Sequence, residues 1–470
     1  MNFYKGVLIL LFLCAQTLLA QISVRNQLEF THWQSRDLDI LENWTDVTYQ
    51  RDWLQIGGRF EINEPPDPTI FPQDTLLKHY ELTFAYARIR HRFLDVTVGN
   101  YYAMFGRGLT LRTYEDRNLR VDNNLLGAKM VLHFKKLKFQ ALSGRMRDKY
   151  NRRKEWLSGA DVELKASRSF KIGTSYLYQH NPQYFKDQKG LWSARTNFTH
   201  DLFDLYTEVV KPQWSPAFSY YVAVSTYGEK WNALLELKDY NRLSFQNAYL
   251  MEYNAAPSLT REHAFSLLNR HPHFLNQNDE KGYQLEVNYN PNMEIQFVFN
   301  HSQTFTHDRR RIFQEYYLEM THYWKENFEY HALVDWNFDF STNTENITAI
   351  FDAIYNLTRR DQLHISIQHQ HTKNKLDLSE YDNELALVEY SRSPWVSFAL
   401  VGEYTNKYKI RNVQMDRHQW LYGQVSFNFW KNQRLSILYG TRREGFICVG
   451  GICRYEPEFE GLEIKLTNRF

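Results

Sequence analysis

The sequence predicts an all-β chain, a single large antiparallel transmembrane β-barrel of about 22 strands (18–26), with short periplasmic turns and longer external loops. Three observations carry that reading. Apolar and polar residues alternate with a period of two through most of the chain. Short turns alternate with longer polar links, as hairpins opening onto two unlike rims require. The last strand closes on Phe470.

Composition narrows the class. The 470 residues carry 56 Lys+Arg against 54 Asp+Glu, a net charge of +2. Such balance excludes a strongly basic nucleic-acid binder and an acidic solvating tail. Aromatics make up 16% of the chain, with 20 Gly and 12 Pro, so it is neither disordered nor a low-complexity fibre. A mean hydropathy of −0.59 excludes a bundle of membrane helices. It leaves a barrel open, because strands hide their apolar residues by alternation.

From the N-terminus, Lys5, an apolar run over 6–15 and Leu18-Leu19-Ala20 read as a secretory signal peptide at 1–20, cleaved after Ala20. The run is too short for a membrane anchor. Lipidation at Cys14 is disfavoured by the bulky Leu13 before it. Strand pattern begins at Ile22, which leaves no space for a separate N-terminal plug domain. The lumen is then water-filled or blocked by the barrel's own loops.

The alternation is explicit at Leu137, Phe139 and Ala141, and at Leu363, Ile365 and Ile367. It runs through Tyr283–Tyr289, turns at Asn290-Pro291-Asn292, and resumes over Met293–Phe299. A longer stretch covers Phe328 to Phe338. The turn at Trp430-Lys431-Asn432-Gln433 contrasts with longer links over 63–78 and 373–382. After Ala20 no stretch of some 18 apolar residues occurs, since 385–401 is broken by Glu389, Arg392 and Pro394. A soluble β-sandwich or propeller is the competing architecture. Against it stand ionic side chains on the polar face and aromatic pairs at strand ends: Tyr101-Tyr102, Tyr316-Tyr317, Tyr323-Trp324 and Phe429-Trp430. No blade-length repeat is evident.

Two cysteines remain after cleavage, Cys448 and Cys453, flanking Val449-Gly450-Gly451-Ile452. Facing hairpin positions hold Cα atoms about 5.5 Å apart. In an oxidising compartment a disulfide is expected, and two thiols alone do not complete a zinc site. Leu462, Ile464 and Leu466 then alternate toward Phe470, a terminal strand of the type read by barrel-assembly machinery, with Asn468 departing from the usual apolar residue. That strand sets the C-terminus in the periplasm and the cysteine hairpin in the last external loop.

Two segments break the strand grammar. In the first, after Gly99–Gly108, Arg107, Arg112, Arg117 and Arg120 stand beside Glu115, Asp116 and Asp122. Facing charges across a pore orient polar solutes, and an Arg ladder favours anions. The same residues also suit an external loop with solvated ion pairs. The second segment is a loop containing a short helix at about 255–281. There Thr260 precedes Ala264, Phe265, Leu267 and Leu268 as a capped helical turn that could constrict the lumen. His263, His271 and His273 have one nearby acid, Glu262, at a spacing that faces elsewhere on a helix. A structural role is favoured over a metal site, and no metal or cofactor is expected.

These segments, with Asp122-Asn123-Asn124, Arg261-Glu262-His263 to Arg270-His271 and Gly445 to Arg454, resemble an uncharacterised porin-like outer-membrane β-barrel family of Bacteroidota-type Gram-negative bacteria. The resemblance spreads over most of the mature chain and implies the cell outer membrane, but carries over no substrate or catalytic residue. The expected function is passive or gated passage of small hydrophilic solutes. The alternative is a plugged barrel acting as a scaffold or export component that binds another envelope protein. A barrel-embedded lipid hydrolase lacks both a Gly-x-Ser-x-Gly elbow and a His-Glu-x-x-His pair, so no enzyme is expected. Expected partners are the lipid bilayer, the assembly machinery and solutes, with no nucleic acid.

Overall fold

The structure, a computed structural model, describes residues 22–67, 79–147, 153–180, 182, 186–247, 251–407, 409–410, 413–414, 417–430, 432–449 and 452–470. Residues 1–20, where a signal peptide is expected, lie outside them. Twenty-four strands form one sheet, each paired antiparallel with its sequence neighbours. The sheet closes where the first strand, Ile22–Trp33, pairs the last, Phe459–Arg469. At the seam the backbones of Val24 and Phe470 exchange hydrogen bonds of 3.1 and 2.9 Å. Closure removes the unpaired edges that an open sheet of this size exposes. The count of 24 falls inside the expected range, and strands run from 8 to 14 residues.

The two rims differ as expected. One carries the termini and turns as short as Asp52-Trp53, Arg92-Phe93 and Asp201-Leu202. The other carries the long connections, including 102–124, 242–278 and 443–458. In that last connection the backbone pairs Cys448 directly with Cys453, while their side chains lie outside the described residues.

Alternation becomes an inside-out burial pattern. Leu318 pairs Val334, Phe351 pairs Ile367, and Val388 pairs Leu400; all six point outward and are exposed. Their neighbours Ser302 and Glu315, Asn337 and Asn346, and Thr348 and Gln370 also pair, and these polar side chains are buried inside. An apolar outer face with a polar interior is the arrangement that hydrocarbon selects and water does not. Trp53, Phe93, Phe134, Trp231, Trp324, Trp395 and Trp430 ring the turn-bearing rim, all exposed, as an interfacial girdle. Of the expected aromatic pairs, Tyr323-Trp324 belongs to that girdle, as does Trp430. Tyr101 and Tyr317 instead turn inward and are buried.

One part of the wall departs from the polar-inside rule. Leu142, Leu157, Leu177, Leu191, Val210 and Tyr240 face inward between residues 137 and 241, and all are buried. Something apolar has to cover them, and the two irregular segments do.

Candidate functional site

The first segment enters the lumen. Past the strand Leu94–Tyr101, a two-residue bridge pairs Met104–Phe105 with Leu111–Arg112, and another pairs Glu115–Asp116 with Val121–Asp122. Phe105, Leu109 and Leu111 are buried against the inward leucines of the wall. Gly106 holds a φ of 55°, and a Cβ there would meet the Glu208 carboxylate at 2.4 Å. Glu208, fully buried, accepts from the Arg107 backbone N–H at 2.9 Å and from the Tyr206 hydroxyl at 2.6 Å. Gly106→Ala therefore forces this corner off the wall, at a cost of about 1–3 kcal/mol. Limited trypsin digestion of the refolded barrel should cut at Arg107 in the variant and spare it in the parent. Equal protection in both would place the corner elsewhere.

The expected channel-lining residues divide into two groups. Arg117, Arg120 and Glu115 meet the wall. Arg59 forks onto Glu115 through two bonds of 2.8 Å and also holds Asp46 at 2.7 Å. Arg117 bridges Asp46 at 3.2 Å and Glu115 at 3.0 Å. Arg120 forks onto Glu42 at 2.8 and 2.6 Å, and both guanidiniums lie over the Trp44 ring. Burial pushes the Glu115 carboxyl up, but Arg59 and Arg117 outweigh it and hold the group below its ordinary value. Asp116 and Asp122 shape the segment itself: Asp116 accepts from the Leu119 N–H at 2.9 Å, and Asp122 from Tyr102 at 3.0 Å and Asn124 Nδ2 at 2.7 Å. Arg107 and Arg112 lie apart, over the Tyr206 and Tyr114 rings, and among the described residues no acid ion-pairs with either. The structure thus brings Arg117, Arg120 and Glu115 together and leaves Arg107 and Arg112 outside that network.

The second segment crosses the lumen and corrects an expectation. No capped helix forms after Thr260; the only helical piece within 255–281 is a single 3₁₀ turn, Leu268–Arg270. The Leu267 backbone is bonded by the wall, its N–H donating to Gln368 at 3.2 Å and its carbonyl accepting from Gln370 at 2.9 Å, which competes with helical pairing. Leu267 is buried with Leu385 and Val401, whereas Leu268 packs on Val298, Tyr317, Leu333 and Ile350. Arg261 pairs Glu286 at 2.6 Å, and Arg270 Nη2 donates to both Glu403 carboxylate oxygens at 2.6 Å. The three histidines border one small cavity but share no acid partner. His263 meets Glu315 at 2.8 Å, and His273 meets Glu280 at 2.8 Å. His271 is pushed down from 6.5 to about 3 by desolvation, then by Lys407, Arg443 and Arg270 against the pull of Asp339.

A depressed histidine favours the neutral form. Its contribution to holding this segment is full above the unfolded value near 6.5 and is lost as pH falls toward about 3. Protease access to the 260–271 region should therefore rise over that interval. The rise should be smaller in His271→Asn, so the difference between the two pH profiles isolates this residue. Superimposed profiles would assign the acid response to other groups.

The two segments also bind each other. The Ala255 N–H donates to Gly108 O at 3.1 Å, Arg112 N–H to Tyr253 O at 2.9 Å, and Asn254 Nδ2 to Leu109 O at 2.9 Å. Together they form an internal plug. Beside it remains a cavity of about 360 Å³ between the first strands and the last. It is lined by Glu29, Glu42, Arg117, Arg120, Arg442 and Lys465, among others, and Lys465 pairs Glu29 across the seam at 2.9 Å. Sequence reasoning missed Glu42, Asp46 and Arg59, which lie 56–78 residues from their partners.

The family model described as "Family of unknown function (DUF6029)" matches residues 3–470. No curated protein matches the chain. Among solved structures, the P pilus usher (PapC) translocation pore is similar over 96% of this chain and 99% of its own, at 8% identity and a TM-score of 0.47. The copper transporter OprC is similar over 96% and 81%, at 8% identity and a TM-score of 0.47. Wzi, an outer-membrane protein involved in group 1 capsule assembly in Escherichia coli and described as a carbohydrate-binding β-barrel, aligns over 79% and 84%, at 11% identity and a TM-score of 0.35.

Proposed function

The chain belongs to the DUF6029 family, and we propose that it is an outer-membrane barrel passing small hydrophilic solutes along one side of a plugged lumen. The closed wall, the outward apolar belt and the girdle support the membrane setting. The observation that carries the channel reading is the charged cavity beside the plug, where acids and bases face each other at the seam. Most of its cations are matched by carboxylates, so it suits dipolar or zwitterionic solutes more than simple anions. The plug makes passage gated and narrow.

Single-channel recording of the refolded mature chain, with a reversal potential under a salt gradient, tests this. Small discrete steps with weak ion selectivity are expected. Arg120→Gln leaves Glu42 unmatched in the cavity and should shift the reversal potential toward cations. Silence from a folded, heat-modifiable barrel would overturn the channel reading. It would favour the second one, a plugged barrel that binds another envelope protein, which the well-packed apolar core inside the lumen supports.

A further inference from the structure

His263, Glu315 and Asp335 carry chemistry that neither the ionic cavity nor the plug's packing uses. His263 comes from the infolded segment, Glu315 from strand Arg311–Trp324 and Asp335 from strand Phe328–Asp339. One potential ligand atom from each lies within 4.8 Å of the other two, and among the described residues this is the one such group of three. All three side chains are more than nine-tenths buried. Each keeps an unpartnered buried atom: His263 Nδ1, Glu315 Oε2 and Asp335 Oδ1. The Ser302 hydroxyl, opposite Glu315 in register, is unpartnered too.

Two carboxylates this close, deeply buried, repel each other. Among the described residues no Lys or Arg ion-pairs with either, and His263 pairs only Glu315. Buried acceptors without donors cost about 1–3 kcal/mol each, and a divalent cation would offset the charge of both carboxylates. Beside the group lies a cavity of about 40 Å³ lined by His263, Glu315, Thr260, Asn269, His271 and His273. That is large enough for a water, which needs about 10–15 Å³ of such space.

We propose that His263, Glu315 and Asp335 form a binding site for a divalent first-row metal ion, with Zn²⁺ the fitting probe, and that the ion fastens the plug to the wall. One imidazole and two carboxylates plus a water make a four-coordinate borderline set. They are too few for Ca²⁺ and too hard for Cu(I). The Asn337 bond to Asp335 Oδ2, 2.8 Å, orients one of the ligands, and the Asn269 Nδ2 bond to the His263 carbonyl, 2.8 Å, holds the backbone that carries another. The site stands whether or not the barrel conducts.

The test uses the refolded barrel in detergent, stripped with chelator and titrated with Zn²⁺ by calorimetry, with bound metal counted by mass spectrometry. About one ion per chain is expected. Glu315→Gln with Asp335→Asn should weaken binding by at least about 100-fold. These substitutions keep the side-chain shapes and remove buried charge, so the wall should still form. His263→Asn, confined to the plug, should lose the same site if the wall variant does not fold. Zn²⁺ should also protect the 260–271 region from protease in the parent alone. No uptake by the parent, or uptake unchanged in the variants, overturns the assignment.

Discussion

Replacing residues 260–271 with Gly and Ser of equal length should raise the single-channel conductance several-fold. The expectation follows from what those residues reach. Leu267 and Leu268 fill two apolar recesses of the wall, and Arg261 and Arg270 reach Glu286 and Glu403. Without them the segment loses its side-chain attachments, and the carboxylates left behind face water instead of a dry interior. The wall itself does not depend on these contacts, because its strands pair only with one another. Folding is checked by heat-modifiable migration before recording. An unchanged conductance from a folded barrel would show that the route bypasses this segment entirely.

Glu280→Gln should destabilise the barrel interior by about 3–5 kcal/mol, the usual cost of stranding one member of a buried ion pair. Lys238 and Glu280 are wholly inaccessible and 2.5 Å apart. Lys238 also donates to the Ser258 carbonyl, while Glu280 accepts from His273 at 2.8 Å and from the Asn276 N–H at 2.9 Å. One wall position thus holds three points of the plug. Adding Lys238→Met to Glu280→Gln removes the stranded ammonium while the amide keeps an acceptor for Asn276. Most of the loss should be recovered, as buried pairs are often replaceable by neutral groups. Guanidinium unfolding of the parent, single and double variants, followed by tryptophan fluorescence, reads this out. A single variant as stable as the parent would mean that water reaches the pair.

The wall was legible because a strand records its two faces locally. Leu363, Ile365 and Ile367 announce an outward face within five residues, and a one-residue slip would bury the wrong set. Strand number was legible only to within a few, since connections range from the two residues at Asp52-Trp53 to the run over 242–278. The plug was far less readable. Its anchors, Glu208 for Arg107 and Glu403 for Arg270, are 101 and 133 residues away, and nothing in a local pattern names such a partner. The Thr260 segment looks helical because its apolar residues recur at helical spacing, yet the Leu267 backbone is bonded by Gln368 and Gln370, 101 and 103 residues away. One signal was available: Leu157, Leu177 and Leu191 occupy inward positions where a wet lumen requires polar side chains. A leucine-lined inner wall reports that the barrel is filled there.

The reciprocal bonding of the two inner segments has a consequence for biogenesis. The 102–124 segment docks on Glu208, Tyr253 and Ala255, all synthesised well after it. During export it has no finished surface to settle on until the chain has passed the second segment. The second segment in turn needs Glu403 and the Glu444 carbonyl, close to the C-terminus. The last attachment of the interior therefore forms only after nearly every hairpin is in place. A chain stalled before residue 403 could cover its inner leucines, yet would leave Arg270 without the carboxylate that fixes the second segment.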